Sequence, residues 1–157
     1  MFGFFTDEKI RIINKLRHHK VMVPFSKINI FKEGLMNTLI CYKKCTTCKA
    51  VEKLMKDQAI DYGIREIDKD NPTKDELKKW KEMSGLDLKR FFNTSGKIYK
   101  EMGLSKKLKD IPEDEQFDML ASDGMLVKRP ILLLDDSRIF VGPDVKKYLL
   151  GELDEDK

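Results

Sequence analysis

The stretch TLICYKKCTTCKAVEKLM, residues 38–55, changes its hydrophobic period midway. Residues 38–42 (TLICY) form a short apolar, β-prone run, which predicts a buried strand. Residues 47–59 then set Ala50, Val51, Leu54 and Met55 at helical spacing, which predicts a helix. Cys45 and Cys48 stand where the strand hands over to the helix. A helix N-terminus offers unpaired N–H groups and about half a positive charge, which favours thiolate over thiol. Cys45, the outer cysteine, reads as the nucleophile. Cys48, one turn on, is placed to attack a mixed disulfide formed at Cys45 and release it.

Working outward, residues 62–68 (YGIREID) alternate as a strand does. Thr73 with Glu76 makes a capping box, and Leu77, Trp80 and Met83 form an apolar stripe that Gly85 stops. Residues 88–92 lead to the turn cluster Asn93-Thr94-Ser95-Gly96. Residues 97–102 predict a helix stopped by Gly103, and Pro112 opens another that runs to Gly124. Residues 130–134 (PILLL) and 138–141 (RIFV) predict two strands joined by a turn at 135–137, and Pro143 starts a last helix to Leu150. The order βαβ, then helices, then ββα predicts an α/β, thioredoxin-like fold with an inserted helical subdomain at about 73–128.

At 157 residues and 41 % hydrophobic content the chain fits one ordinary domain. The organised domain is expected over 36–152, with 153–157 a charged tail. No apolar run approaches the roughly 20 residues that span a bilayer, and no secretory signal pattern opens the chain. A cytoplasmic location and no membrane partner are therefore expected. Residues 1–35 hold seven basic against three acidic residues, while the remainder carries 24 of each. The excess charge thus belongs to the N-terminal extension, and direct nucleic-acid binding by the domain is not expected. The extension reads as a short helix after Thr6 followed by a mixed segment. It is taken as a loosely attached extension, with Met36 an alternative start. A membrane-surface helix or a partner-binding arm is the other reading.

The three cysteines, Cys41, Cys45 and Cys48, cluster where a secreted disulfide scaffold would spread an even number. Zinc is the rival reading of CxxC. A structural site needs four ligands, however, and no second CxxC or His pair follows. Cys41 is expected as a buried core thiol. Arg129-Pro130 opens an apolar strand with a residue lacking a ladder donor. It is read either as a cis bond that brings Arg129 toward the cysteines, or as a trans proline at a strand end beside a surface arginine.

The runs NTLICYKKCTTCKAVEKLM, FFNTSGKIYKEMGLSKKL and LASDGMLVKRPILLLDDSRIFVG resemble the ArsC/Spx family from about Met36 to Leu150. That family contains glutaredoxin-linked arsenate reductases and the Spx and MgsR transcriptional regulators. The resemblance implies a thioredoxin fold with a helical insertion, a nucleophilic Cys45 and a cis Pro130 after Arg129. Catalytic candidates are Cys45, Cys48 and Arg129. Substrate-binding candidates are Lys44, Thr46, Thr47, Asn93, Thr94, Ser95, Gly96 and Pro130, and no metal site is expected.

Of the three arginines with which arsenate reductases hold the oxyanion, only Arg129 is matched. Asn93 takes the place of a second, and the third falls at or near Gly142. Two missing guanidinium forks argue against arsenate as substrate. Arg90 and Lys97 flank the loop as partial compensation. The function expected is that of an arsenate reductase-like thiol–disulfide oxidoreductase using the CxxC pair. It would hold no bound cofactor and take its electrons from thioredoxin or from glutathione with glutaredoxin. The alternative is a redox-sensing regulator that binds the RNA polymerase α subunit through residues around Gly85 and the first helix.

Overall fold

The computed structural model describes residues 36–135 and 137–153. The readings for residues 1–35 and for 154–157 lie outside them. The elements are β1 (Thr38–Cys41), α1 (Thr46–Asp57), β2 (Gly63–Glu66), α2 (Lys74–Ser84), α3 (Lys97–Glu101), α4 (Leu104–Lys107), α5 (Glu113–Ser122), β3 (Ile131–Leu133), β4 (Ile139–Val141) and α6 (Pro143–Leu149). Short 3-10 turns occupy Leu88–Phe91, Leu108–Asp110 and Gly124–Leu126.

The sheet runs β2-β1-β3-β4. β1 pairs parallel with β2 and antiparallel with β3, and β3 pairs antiparallel with β4. Successive side chains of a strand leave opposite faces, and this sorts the core into two layers. Leu39 and Cys41 of β1 and Leu132 of β3 join Cys48, Val51 and Met55 of α1 and Val145 and Leu149 of α6. Ile40 and Ile131, directly paired across the strands, join Leu77, Trp80, Phe91, Phe92 and Leu120 of the inserted helical stretch. The dithiol helix and the insertion therefore cover opposite faces of one sheet.

Local chemistry sets the element ends. α1 closes at Asp57 because Ala59 turns into a left-handed conformation, φ 54°, so the predicted helix to 59 ends early. α2 carries the expected capping box: Glu76 N donates to Thr73 Oγ1 at 3.2 Å and Thr73 N to Glu76 Oε2 at 2.9 Å. Gly85, φ 64°, ends it. Pro112 caps α5 from outside instead of standing in its first turn. That helix stops at Ser122, short of the predicted Gly124, because Asp123 is extended and its carboxylate accepts from Met125 N at 2.8 Å to cap the following turn.

The capping box is also a tether. Arg65 of β2 reaches the same Glu76 carboxylate, Nη1 to Oε1 at 2.8 Å and Nη2 to Oε2 at 3.1 Å. It also donates to the Asp70 and Asn71 carbonyls, each at 3.0 Å. One guanidinium thus joins sheet, loop and inserted helix. Among the described residues no helix is long and apolar enough to cross a membrane.

Candidate functional site

The chain leaves β1 through a tight turn in which Cys45 N donates to Tyr42 O at 2.9 Å. Cys45 is the N-cap of α1, and its side chain makes no capping bond. No acidic residue lies in the first turn of that helix. Cys45 is partly exposed while Cys48 is fully buried. Of the pair, Cys45 is therefore the sulfur open to a reacting partner, since exchange needs access. All three cysteines are free thiols.

Cys48 is held toward its thiolate form, lowered to about 6. The first cause is a hydrogen bond from the Cys41 thiol, which burial opposes. The backbone N–H of Tyr42, 3.5 Å from Cys48 Sγ, then lowers it further, with the Cys45 side chain and the charge of Arg129. Cys41, pushed up by its bond to Cys48 and by burial, stays the proton donor. Expected as a core thiol, Cys41 is buried as foreseen, but it also engages the second cysteine. Strand alternation was the available signal, because it puts Cys41 on the face that α1 covers.

The Arg129–Pro130 bond is cis, as the resemblance implies, and Pro130 is buried. The Arg129 guanidinium carbon lies 4.9 Å from the centre of the Tyr42 ring, within cation–π range. Its Nε and Nη1 are buried and have no hydrogen-bond partner. A charged donor left this way is costly, and here it stands beside the dithiol, where an anion or thiolate would satisfy it.

The other candidates separate. Thr47 lines a cleft of about 400 Å³ with Lys128, Arg129, Lys146, Lys147 and Glu152. Thr94 lines a neighbouring cleft of about 420 Å³ with Arg90 and Asp144, and the two share Lys128 and Lys147. Lys44 and Thr46 are exposed at the start of α1. Asn93 spends its side chain on structure, donating to Met125 O at 3.3 Å, while its N–H bonds Leu126 O at 2.7 Å. Gly96 fits closely against it, since a Cβ there would stand 2.6 Å from Asn93 Nδ2. With Lys128 N on Phe91 O at 2.7 Å, the NTSG turn pins the segment that delivers Arg129, and neither Asn93, Ser95 nor Gly96 lines these clefts.

Both flanking cations carry surface ion pairs. Arg90 is paired with Asp144 at 2.6 Å and Lys97 with Glu101 at 3.6 Å. Lys43 pairs with Glu66 at 3.4 Å. Among the described residues no three His, Cys, Asp or Glu side chains stand together to hold a metal.

A four-stranded sheet with a dithiol at the start of its first helix and a cis-proline before the third strand defines a thioredoxin-like protein. Within that class the chain belongs to the ArsC family, whose model matches residues 41–149. YusI of Bacillus subtilis, itself uncharacterized, is 47 % identical over 105 residues, covering 67 % of this chain and 88 % of YusI. An ArsC family related protein from Bacteroides fragilis superposes with TM-score 0.68 at 42 % identity, covering 74 % of this chain and 98 % of that one. The regulatory protein MgsR of Bacillus subtilis is 25 % identical over 116 residues, covering 74 % of this chain and 86 % of MgsR.

Proposed function

We propose that this protein is a thiol–disulfide oxidoreductase. Cys45 as thiolate attacks one sulfur of a substrate disulfide, forms a mixed disulfide and expels the other half as a thiol after proton uptake. The Cys48 thiolate then attacks the Cys45 sulfur and releases the second thiol. The protein is left with a Cys45–Cys48 disulfide, two electrons having passed to the substrate. Arg129 steadies negative charge on sulfur or on the bound substrate. A thioredoxin, or glutathione with glutaredoxin, restores the dithiol. Arsenate is not favoured, because Asn93 is committed to backbone and Gly142 has no side chain.

The observation that carries this reading is the division of labour between the two sulfurs. One is accessible at a helix N-cap, and the other is buried and held toward thiolate by a thiol and a backbone N–H. The test is NADPH-coupled turnover of a model disulfide with either reducing system. Sustained turnover that Cys45→Ser abolishes, with Cys48→Ser accumulating a mixed disulfide by mass spectrometry, is expected. One stoichiometric oxidation without turnover would sink it.

The likeness to MgsR supports a second reading, a redox-set regulator acting through the RNA polymerase α subunit. Gly85 ends α2 in an exposed position, where such a partner would have access. Copurification with that subunit, dependent on the oxidation state of the dithiol, would favour this reading over turnover.

A further inference from the structure

We propose that the cleft beside the dithiol is a subsite for the anionic arm of a small disulfide substrate, held by Lys128, Lys146 and Lys147. This rests on the oxidoreductase reading above and adds the chemical class of the substrate. Four cations line the cleft, Lys128, Arg129, Lys146 and Lys147, against the single carboxylate of Glu152. Residues 36–157 carry equal numbers of basic and acidic side chains, so this concentration is local.

On the inserted helices, lysines gathered at one place are met by carboxylates. On the insertion Lys74 pairs with Asp114 and Asp118, Lys78 with Asp114 and Lys81 with Glu113, all within 3.1 Å. In the cleft, the side chains of Lys128 and Lys146 make no ion pair or hydrogen bond among the described residues, and Lys147 only approaches Asp144 at 4.0 Å. Arg129 adds two buried nitrogens without partners. Unneutralised like charges gathered in one concavity destabilise the free protein and attract an anion.

The cleft is shaped as well as charged. The half-buried Lys128 stem crosses Gly142, where a Cβ would stand 3.0 Å from its Cε and 3.1 Å from its Cγ. A glycine in a left-handed conformation, φ 61°, thus leaves the path along which the lysine is laid. Thr47, between the two cysteines in sequence, and Arg129, whose charge acts on Cys48, form the wall toward the dithiol. A ligand seated there brings its reacting sulfur to Cys45. A volume of about 400 Å³ suits a small molecule, and carboxylate and phosphate groups are the chemistry that lysines take.

The exchange is the one written above: reduced protein and R–S–S–R give the Cys45–Cys48 disulfide and two R–SH. The test is single-turnover oxidation of the prereduced full chain, read by acid quench, alkylation and mass spectrometry. Four symmetrical disulfides are compared: neutral bis(2-hydroxyethyl) disulfide, dicarboxylate dithiodiglycolate, phosphate-bearing coenzyme A disulfide and dicationic cystamine. Each rate is normalised to that with dithiothreitol. At low salt at least one anionic probe should exceed the neutral one roughly tenfold, with cystamine slowest. The faster of the two anions identifies carboxylate or phosphate as the preferred group. The advantage should shrink toward unity near 1 M salt, where the screening length is about 3 Å. Lys128→Gln and the pair Lys146→Gln with Lys147→Gln should each cut the anion-to-neutral ratio severalfold, whereas Lys106→Gln, outside the cleft, should keep it. Rates blind to charge, or a ratio that neither cleft variant lowers, overturn the subsite alone. Failure to oxidise the dithiol with any of the four overturns the oxidoreductase reading and the subsite together.

Discussion

Replacing Cys41 by alanine removes the group that contributes most to holding Cys48 as a thiolate. Cys41 is 2 % exposed on β1, and its thiol donates to the Cys48 sulfur. A hydrogen bond to a charged acceptor is worth about 1.5–3 kcal/mol. At 1.36 kcal/mol per pH unit this moves the ionisation of Cys48 upward by roughly one to two units. Starting from about 6, it would then titrate at roughly 7–8. The thiolate fraction at pH 7 falls from roughly nine-tenths to between a half and a tenth. Resolution of the mixed disulfide should slow by about two- to tenfold at pH 7 and recover in alkali. Cys41→Ser keeps a donor and should stay near the parent. The direct assay follows the ultraviolet absorbance of the Cys48 thiolate against pH in a Cys45→Ser background, where serine preserves a hydroxyl beside the sulfur. A midpoint that Cys41→Ala leaves in place, in a protein of unchanged circular dichroism, would refute the reasoning.

Two further perturbations test how the scaffold holds the site. Gly124→Ala drives a Cβ into the Ile67 carbonyl and to 2.7 Å from Asn71 Oδ1, so it should destabilise by at least about 1–3 kcal/mol; an unchanged urea midpoint would count against this packing. For Glu76, burial raises the carboxyl, but the Arg65 hydrogen bond, the Thr73 N–H and the Arg65 charge outweigh it and leave it below the ordinary range. A carboxyl with a folded pKa below its unfolded value of about 4.3 stabilises above that value and loses its contribution as pH falls through the folded one. Acidification from about pH 5 to about pH 3 should therefore cost the parent more stability than Glu76→Gln; parallel losses in urea melts would show that the Arg65 tether is energetically idle.

The parts of the fold that residues announce locally were readable from sequence. The short apolar, β-prone run TLICY and helical spacing from Ala50 to Met55 place a strand and a helix with a CxxC between them. Thr73, Glu76 and Gly85 delimit α2 by capping chemistry that acts within a few residues. Ends decided by less regular backbone were misjudged. Ala59 in a left-handed conformation and Asp123 capping a 3-10 turn both shorten helices that apolar spacing would continue. The short helix Leu104–Lys107 went unforeseen, because four residues carry too little periodicity to register.

By itself, then, the chain determined its class: the dithiol sits at a strand–helix junction because neighbouring residues specify both elements. Tertiary structure decided what surrounds the dithiol. The Cys41 donor comes from the far side of the turn, and strand alternation only makes its approach possible. Arg129 and the lysines of the cleft are brought beside Thr47 by the pairing of β1 with β3 and by α6 packing on the same sheet face. Those contacts join residues some 80 to 100 positions apart in the chain. No local pattern encodes them, because burying the two faces of one sheet is a property of the whole assembly of elements.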